Sequence, residues 1–217
     1  YYSTSCGKTT TMKAWGTSEN ESNGYLQSVE VKDKNGDYEK SLPWYRWEAD
    51  IDQDILSALL AENVKKNIGT VQSLEVTKTG PGGVALQIKT VGDKGSITVD
   101  TENKIRKALG GNGYEIKKQD GTVAQSGTLL PSAFFKVKKA GNIFKIIGGG
   151  YGHGIGMSQN GANEMAKKGK NYQEILKISI INGRIVEENT PGNGMISNRQ
   201  TKENRVEYRD EYFGRKR

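Results

Sequence analysis

Apolar and polar positions alternate, or recur at helical spacing, along most of the chain. Tyr25-Leu26-Gln27-Ser28-Val29-Glu30-Val31 alternates, which predicts a half-buried strand. ENESNG at 19–24 reads as the polar turn before it, and KDKNGDYEKS after it as a solvated loop with an Asn-Gly turn signal at 35–36. DIDQDILSALLAENVKKN reads as a helix: Asp50 or Asp52 can cap it, Asp54 falls in its first turn, and Ile51, Ile55, Leu59 and Leu60 share one face. Strands are expected at 71–78, 84–91 and 95–100, separated by Gly-Pro-Gly-Gly and Gly-Asp-Lys-Gly turns. A short helix over 102–109 stops at Gly110-Gly111, and further strands are expected at 114–118, 134–138 and 144–147. Ser158 is placed to cap a helix with Ala162, Met165 and Ala166 on one face. Asn171, with Glu174 three residues on, opens another helix that runs through Ile175, Leu176, Ile178 and Ile181.

The two ends differ from this middle. Residues 1–18 are rich in hydroxyl and β-branched side chains, which predicts an extended strand broken by Cys6-Gly7. In such a strand Ser3 and Ser5 share a face and Thr4 takes the other. Residues 187–217 are polar and end in KENRVEYRDEYFGRKR, an expected tail that is poorly ordered or docks on a partner, so one domain is expected over 1–186. The pattern as a whole predicts an α+β fold of mostly antiparallel, twisted sheets flanked by a few helices.

Composition sharpens this. Hydrophobic residues make up only 34%, against 28 glycines and 26% charged residues, which fits a β-rich, loop-rich body. The net charge of +7 suggests acidic partners such as nucleic acid, an anionic wall polymer or a membrane surface. Lys and Arg are scattered rather than interleaved with aromatics, so no nucleic acid partner is expected. Cys6 has no second cysteine to pair with, and one Cys with one His falls short of a zinc pattern; neither metal nor other cofactor is expected.

The candidate chemistry centres on GGGYGHGIGMSQNGA at 148–162, in which seven of fifteen positions are glycine and His153 is the only histidine of the chain. So many glycines imply positive φ angles or close backbone approach in an ordered loop. His153 has two readings, a ligand contact or an imidazole pinned to satisfy backbone groups. Ser158 and Gln159 line a cleft or serve the helix start, and Ser3, Thr4 and Ser5 either contact a ligand or are ordinary strand hydroxyls. Cys6 reads as a small packed thiol, since His153 is its one possible base. Trp44, Tyr45 and Trp47 offer aromatic faces, with core packing the better use for at least one Trp.

These stretches resemble the SpoIID/LytB family of bacterial cell-wall proteins. YYSTSCGKTT at 1–10 resembles its Ser-Thr-Ser-x-Gly strand, which adds Gly7 to the candidate site. KIRKALGGNGYEI at 104–116 with SGTLLPSAFFKV at 126–137 resembles its middle region, and GGGYGHGIGMSQNGANEMAKKGKNYQEIL at 148–176 its signature. The resemblance covers about residues 1–181. It implies a lytic transglycosylase that cleaves the MurNAc–GlcNAc bond of peptidoglycan, leaves a 1,6-anhydro end and acts on stem-peptide-stripped strands. The LytB branch implies instead a non-catalytic amidase enhancer or glycan-binding module. A sporulation-complex scaffold is a third class.

The implied partners are glycan strands, a cell-wall amidase and a sporulation membrane complex. The implied location is outside the cytoplasm, reached through a segment upstream of Tyr1. The family's catalytic Glu also lies upstream of the Ser-Thr-Ser strand and so is expected outside this sequence. Such a reaction needs one acid more than a pair of carboxylates, because the C6 hydroxyl replaces water as nucleophile. Neutral hydroxyls, amides and aromatic faces then hold the sugars, and Glu164 and Glu174 are better explained by helix electrostatics and capping.

Overall fold

Trp47, Ala49 and Ile51 project from one face of strand β3 (Trp47–Asp52) and are all buried. The computed structural model describes residues 1–20 and 22–179, and β3 is the centre of its larger sheet. β3 pairs antiparallel with β10 (Ile143–Gly148), which pairs in turn with β9 (Phe135–Ala140). On its other side β3 pairs with β7 (Glu115–Lys118), and β7 with β8 (Val123–Gln125). A second antiparallel sheet holds β4 (Val71–Thr79), β5 (Ala85–Gly92) and β6 (Gly95–Asp100). A small hairpin joins β1 (Lys32–Asp33) to β2 (Gly36–Asp37). With four helices among the described residues, the fold is α+β, as the periodicity predicts.

Helix α1 (Gln53–Val64) starts where β3 ends because the Asp52 carboxylate accepts from the Asp54 N–H at 2.8 Å. Leu56, Leu59 and Leu60 form its buried face; Ile51 belongs to β3 rather than to the helix. Helix α2 (Glu102–Leu109) buries an ion pair, Arg106 to Glu102 at 2.8 Å, and Arg106 Nε also donates to the Leu130 carbonyl at 2.8 Å. α2 thereby fixes the loop that leads to β9. Helix α3 (Gln159–Lys167) and helix α4 (Tyr172–Ser179) cover the hairpin through a separate small core of Val29, Val31, Tyr38 and Met165, flanked by Ile175 and Ile178. Asn171 and Glu174 cap α4 reciprocally at 3.0 and 2.9 Å.

Three expectations need correction. Residues 25–31 keep their alternation, with Val29 and Val31 buried and Glu30 exposed, but form no continuous strand. The Thr9 hydroxyl takes the Val29 N–H at 2.8 Å where a ladder would use a carbonyl, leaving one isolated bridge, Lys8 to Glu30. KDKNGDYEKS is not a solvated loop, because it forms the hairpin and buries Tyr38 and Glu39. Residues 1–10 are extended but irregular: Gly7 sits at φ +100°, and the bridges at Tyr2, Thr4, Lys8 and Thr10 are each isolated. Ser3 and Ser5 therefore do not share a face, since Ser5 is buried with Thr4 while Ser3 is half-buried. The end of the second expected helix at Ile181, the boundary at 186 and the tail 187–217 lie outside the described residues.

Candidate functional site

The glycine loop after β10 is where three distant parts of the chain meet. The opening segment runs along it: Thr4 N–H donates to the Tyr151 carbonyl at 3.0 Å and Tyr151 N–H to the Thr4 carbonyl at 2.8 Å. Further on, Thr10 N–H donates to the Gly154 carbonyl at 2.8 Å, and Gln159 N–H to the Tyr2 carbonyl at 2.8 Å. The segment before β9 closes the other side. Gly149 N–H donates to the Phe134 carbonyl, Gly152 N–H to the Pro131 carbonyl at 2.8 Å, and the Ser132 hydroxyl to the Gly149 carbonyl at 2.7 Å. Trp47 supports the loop from the core, its indole N–H donating to the Gly150 carbonyl at 3.0 Å. The loop carries glycine for close approach: a Cβ at Gly152 would lie 2.8 Å from that of Tyr2, and one at Gly154 would overlap the Phe134 ring.

His153 stands half-buried at one end of this seam. Its Nδ1 accepts from the Ile155 N–H at 3.1 Å, so Nε2 carries the hydrogen and donates to the Tyr1 carbonyl at 3.1 Å. Burial is the largest cause that pushes its pKa down, to about 4. The ring is thus neutral, with both nitrogens engaged by backbone. The ring itself packs near those of Tyr2 (centroids 5.5 Å) and Trp15 (centroids 5.0 Å). Trp15 is exposed, as are Tyr1 and Gln159.

Ser158 is the N-cap of α3, accepting from the Gly161 N–H at 3.2 Å. Its hydroxyl also lies 2.7 Å from Glu39 Oε1 and 3.1 Å from the Ser3 carbonyl. Glu39 Oε1 accepts the Ser5 N–H at 2.9 Å, and the Asn160 side-chain amide donates to the Thr4 hydroxyl at 2.9 Å. Thr4, Ser5 and Ser158 are therefore buried frame hydroxyls, not surface contacts. Ser3 is half-buried, and Gly7 makes a tight turn on which a Cβ would overlap the Asp37 carboxylate. Glu164 pairs with Lys167 at 2.7 Å.

A cavity of about 1180 Å³ is lined by Cys6, Gly7, Lys8 and Arg46, by Leu74 and Val76 of β4, and by Phe135 and Gly149. Of the predicted site residues only Gly7 lines it; His153 does not. Arg46 crosses its rim, donating to the Cys6 and Tyr45 carbonyls at 2.9 and 2.7 Å with its guanidinium stacked on Tyr45. The Tyr45 hydroxyl bonds Asp37, and its pKa is raised to about 12, first by burial and then by that carboxylate. Burial likewise pushes the Cys6 thiol up, away from nucleophilic use. Among the described residues no three His, Cys, Asp or Glu side chains converge to hold a metal.

Sequence reading missed Trp15, Glu39 and Asn160. Asn160 sits inside the quoted signature, and its neighbour Ser158 already marks the helix start. Trp15 follows a hydroxyl-rich run with no periodicity, and Glu39 sits in a stretch whose polar composition hides its burial.

Residues 10–156 match a family described as Domain of unknown function (DUF8618). An uncharacterized protein of Brachyspira hyodysenteriae is 39% identical over 99 residues, 45% of this chain and 27% of that protein. Stage II sporulation protein D of Bacillus subtilis is 39% identical over 83 residues, 38% of this chain and 23% of that protein. The amidase enhancer of Bacillus subtilis is 50% identical over 50 residues, 23% of this chain and 7% of that protein. The chain spans about a quarter or less of the length of these relatives.

Proposed function

Given that the chain belongs to the DUF8618 family and is SpoIID/LytB-like, we propose that it acts in cell-wall remodelling, gripping peptidoglycan glycan strands and serving their non-hydrolytic cleavage. One observation carries this reading. The three stretches that resemble the cell-wall family, far apart in sequence, meet at a single loop around a neutral histidine. The accessible groups there are the half-buried Ser3, the Gln159 amide and the Tyr1 ring, with an exposed indole beside the imidazole. Such a set suits uncharged aminosugar rings, whose apolar faces stack and whose hydroxyls and N-acetyl groups hydrogen-bond.

The acid that protonates the glycosidic oxygen is expected from a carboxyl outside this sequence. Glu164 and Glu174 serve the helices that carry them, and Glu39 is sealed from any groove. In this reading the chain supplies the strand-binding floor, on the outer side of the cytoplasmic membrane. The experiment is to digest stem-peptide-stripped strands with the full-length protein and inspect the ends by mass spectrometry. Anhydro ends support the reading, and ordinary reducing ends overturn the reaction type.

The similarity to an amidase enhancer favours a second reading, a glycan-binding module that assists a wall amidase. No cleavage of stripped strands, combined with faster stem-peptide release by an added amidase, is the outcome that selects it.

A further inference from the structure

Two carboxyls are buried among the described residues. Glu102 has Arg106, but Glu39, 1% exposed, has no cationic partner. Its Oε1 receives the Ser5 N–H and faces the Ser158 hydroxyl, while its Oε2 finds no hydrogen-bond partner. That second oxygen rests on Gly161 in the first turn of α3, where a Cβ would come within 2.8 Å of it. The helix N-terminus offsets only a fraction of the cost of burying an unpaired anion, so a carboxyl in this setting keeps its proton instead.

We propose that Glu39 is a positioning residue of the candidate site: its neutral carboxyl locks the opening segment to the start of α3, and ionisation loosens that seam. Hydrogen counting shows how. With Glu39 protonated, its O–H donates to Ser158 Oγ and the Ser158 O–H is free for the Ser3 carbonyl, 3.1 Å away. With Glu39 ionised, the single Ser158 hydrogen turns to the carboxylate, and the Ser3 carbonyl keeps only the Asn160 N–H at 3.0 Å. One bond across the seam is lost and a charge is left in the interior.

The titratable groups facing Glu39 agree with this. Glu164 on α3 is a like charge, and Tyr2 and Cys6 on the opening segment both hold their protons more tightly through burial. On its own segment the neighbours are buried Tyr38 and exposed Lys40. Burial, the largest cause, raises the Glu39 pKa to about 7. What the seam serves rests on the glycan reading above; the protonation and the coupling do not.

The test is carbon-detected NMR of the glutamate carboxyls over roughly pH 4 to 9, with the Ser5 and Gly161 amides followed in the same samples. Glu39→Gln keeps the shape and removes the charge change. The expected result is one carboxyl titrating near pH 7, both amides moving with it, and no such step in Glu39→Gln. A Glu39 that titrates with the other glutamates overturns the proposal, and so does a step that leaves both amides still. Should Glu39→Gln not fold, the wild-type titration, assigned through the Glu39 side chain, decides alone.

The same proteins are then titrated with a chito-oligosaccharide. Wild-type affinity is expected to fall about tenfold from pH 6 to pH 8, as the protonated fraction does, with no fall in Glu39→Gln. An equal fall in both overturns the positioning role. No binding by either at any pH counts against the glycan reading and leaves the NMR result to judge Glu39.

Discussion

The indole of Trp15 lies against the imidazole of His153, ring centroids 5.0 Å apart and planes tilted by 57°. One ring of the pair belongs to the opening part of the chain and the other to the glycine loop. Both His153 nitrogens are taken up by backbone, so the imidazole contributes its ring and not a free hydrogen-bonding edge. Trp15 is 45% exposed, so much of its ring surface remains accessible beside the histidine.

Trp15→Ala should therefore weaken chito-oligosaccharide binding about tenfold, roughly the upper end of a single aromatic stack. The melting temperature should drop by only a few degrees, since half the ring is already in water. Calorimetric titration of Trp15→Ala and Trp15→Phe checks this, with the Phe variant keeping most of the affinity. Unchanged binding in Trp15→Ala removes the indole from the site.

The stability of the wild type should be nearly flat between about pH 4.5 and 6.5. His153, lowered to about 4 from an ordinary 6.5, contributes stability that is complete above 6.5 and lost as pH falls. Glu39, raised to about 7 from an ordinary 4.5, contributes stability that is complete below 4.5 and lost as pH rises. In the shared window the two slopes oppose each other. Glu39→Gln should then gain stability with rising pH, and His153→Asn should lose it, each by up to about 1.4 kcal/mol per pH unit. The slope set by His153 is the smaller one, because its ring keeps some solvent access. Urea unfolding across the window measures all three, and parallel slopes in the three proteins refute the pairing.

Gly154→Ala should destabilise the protein by about 3 kcal/mol or more, visible as a lower urea midpoint. Gly154 sits at φ +77°, and an added methyl meets the buried Phe134 ring, which lies between the loop and β9. Gly169→Ala is the control. Gly169 is also at positive φ (+83°), but nothing lies within 4 Å of its Cβ position, so it should lose only the smaller backbone term. Equal losses would mean that backbone strain, and not close packing, sets the requirement for glycine.

Regular elements were legible in the sequence where period and caps agreed. Asp52, Ser158, and Asn171 with Glu174 mark their helix starts by side-chain chemistry that acts within a few residues, and the β4, β5 and β6 region announces itself by glycine turns. The irregular parts were not legible, because distant groups complete them. Thr9 interrupts a ladder with its own hydroxyl, and Glu39 is buried by a helix that begins well over a hundred residues later. His153 shows both sides. Its isolation among glycines marked it from sequence, but only its contacts with Ile155 and Tyr1 reveal that its nitrogens are spoken for.

The bridges that join Tyr2 to Ser158, Thr4 to Tyr151 and Thr10 to Ile155 also set the order in which the molecule can be built. Closing loops of that length comes late, after contacts that are local in sequence have formed. During synthesis Tyr2 and Thr4 must wait for these partners until the glycine loop and the start of α3 have left the ribosome, whereas Gly7 and Thr9 can pair with Val31 and Val29 much earlier. A nascent chain halted before Ser158 can complete its three-stranded sheet, yet it cannot close the seam between the opening segment and the start of α3.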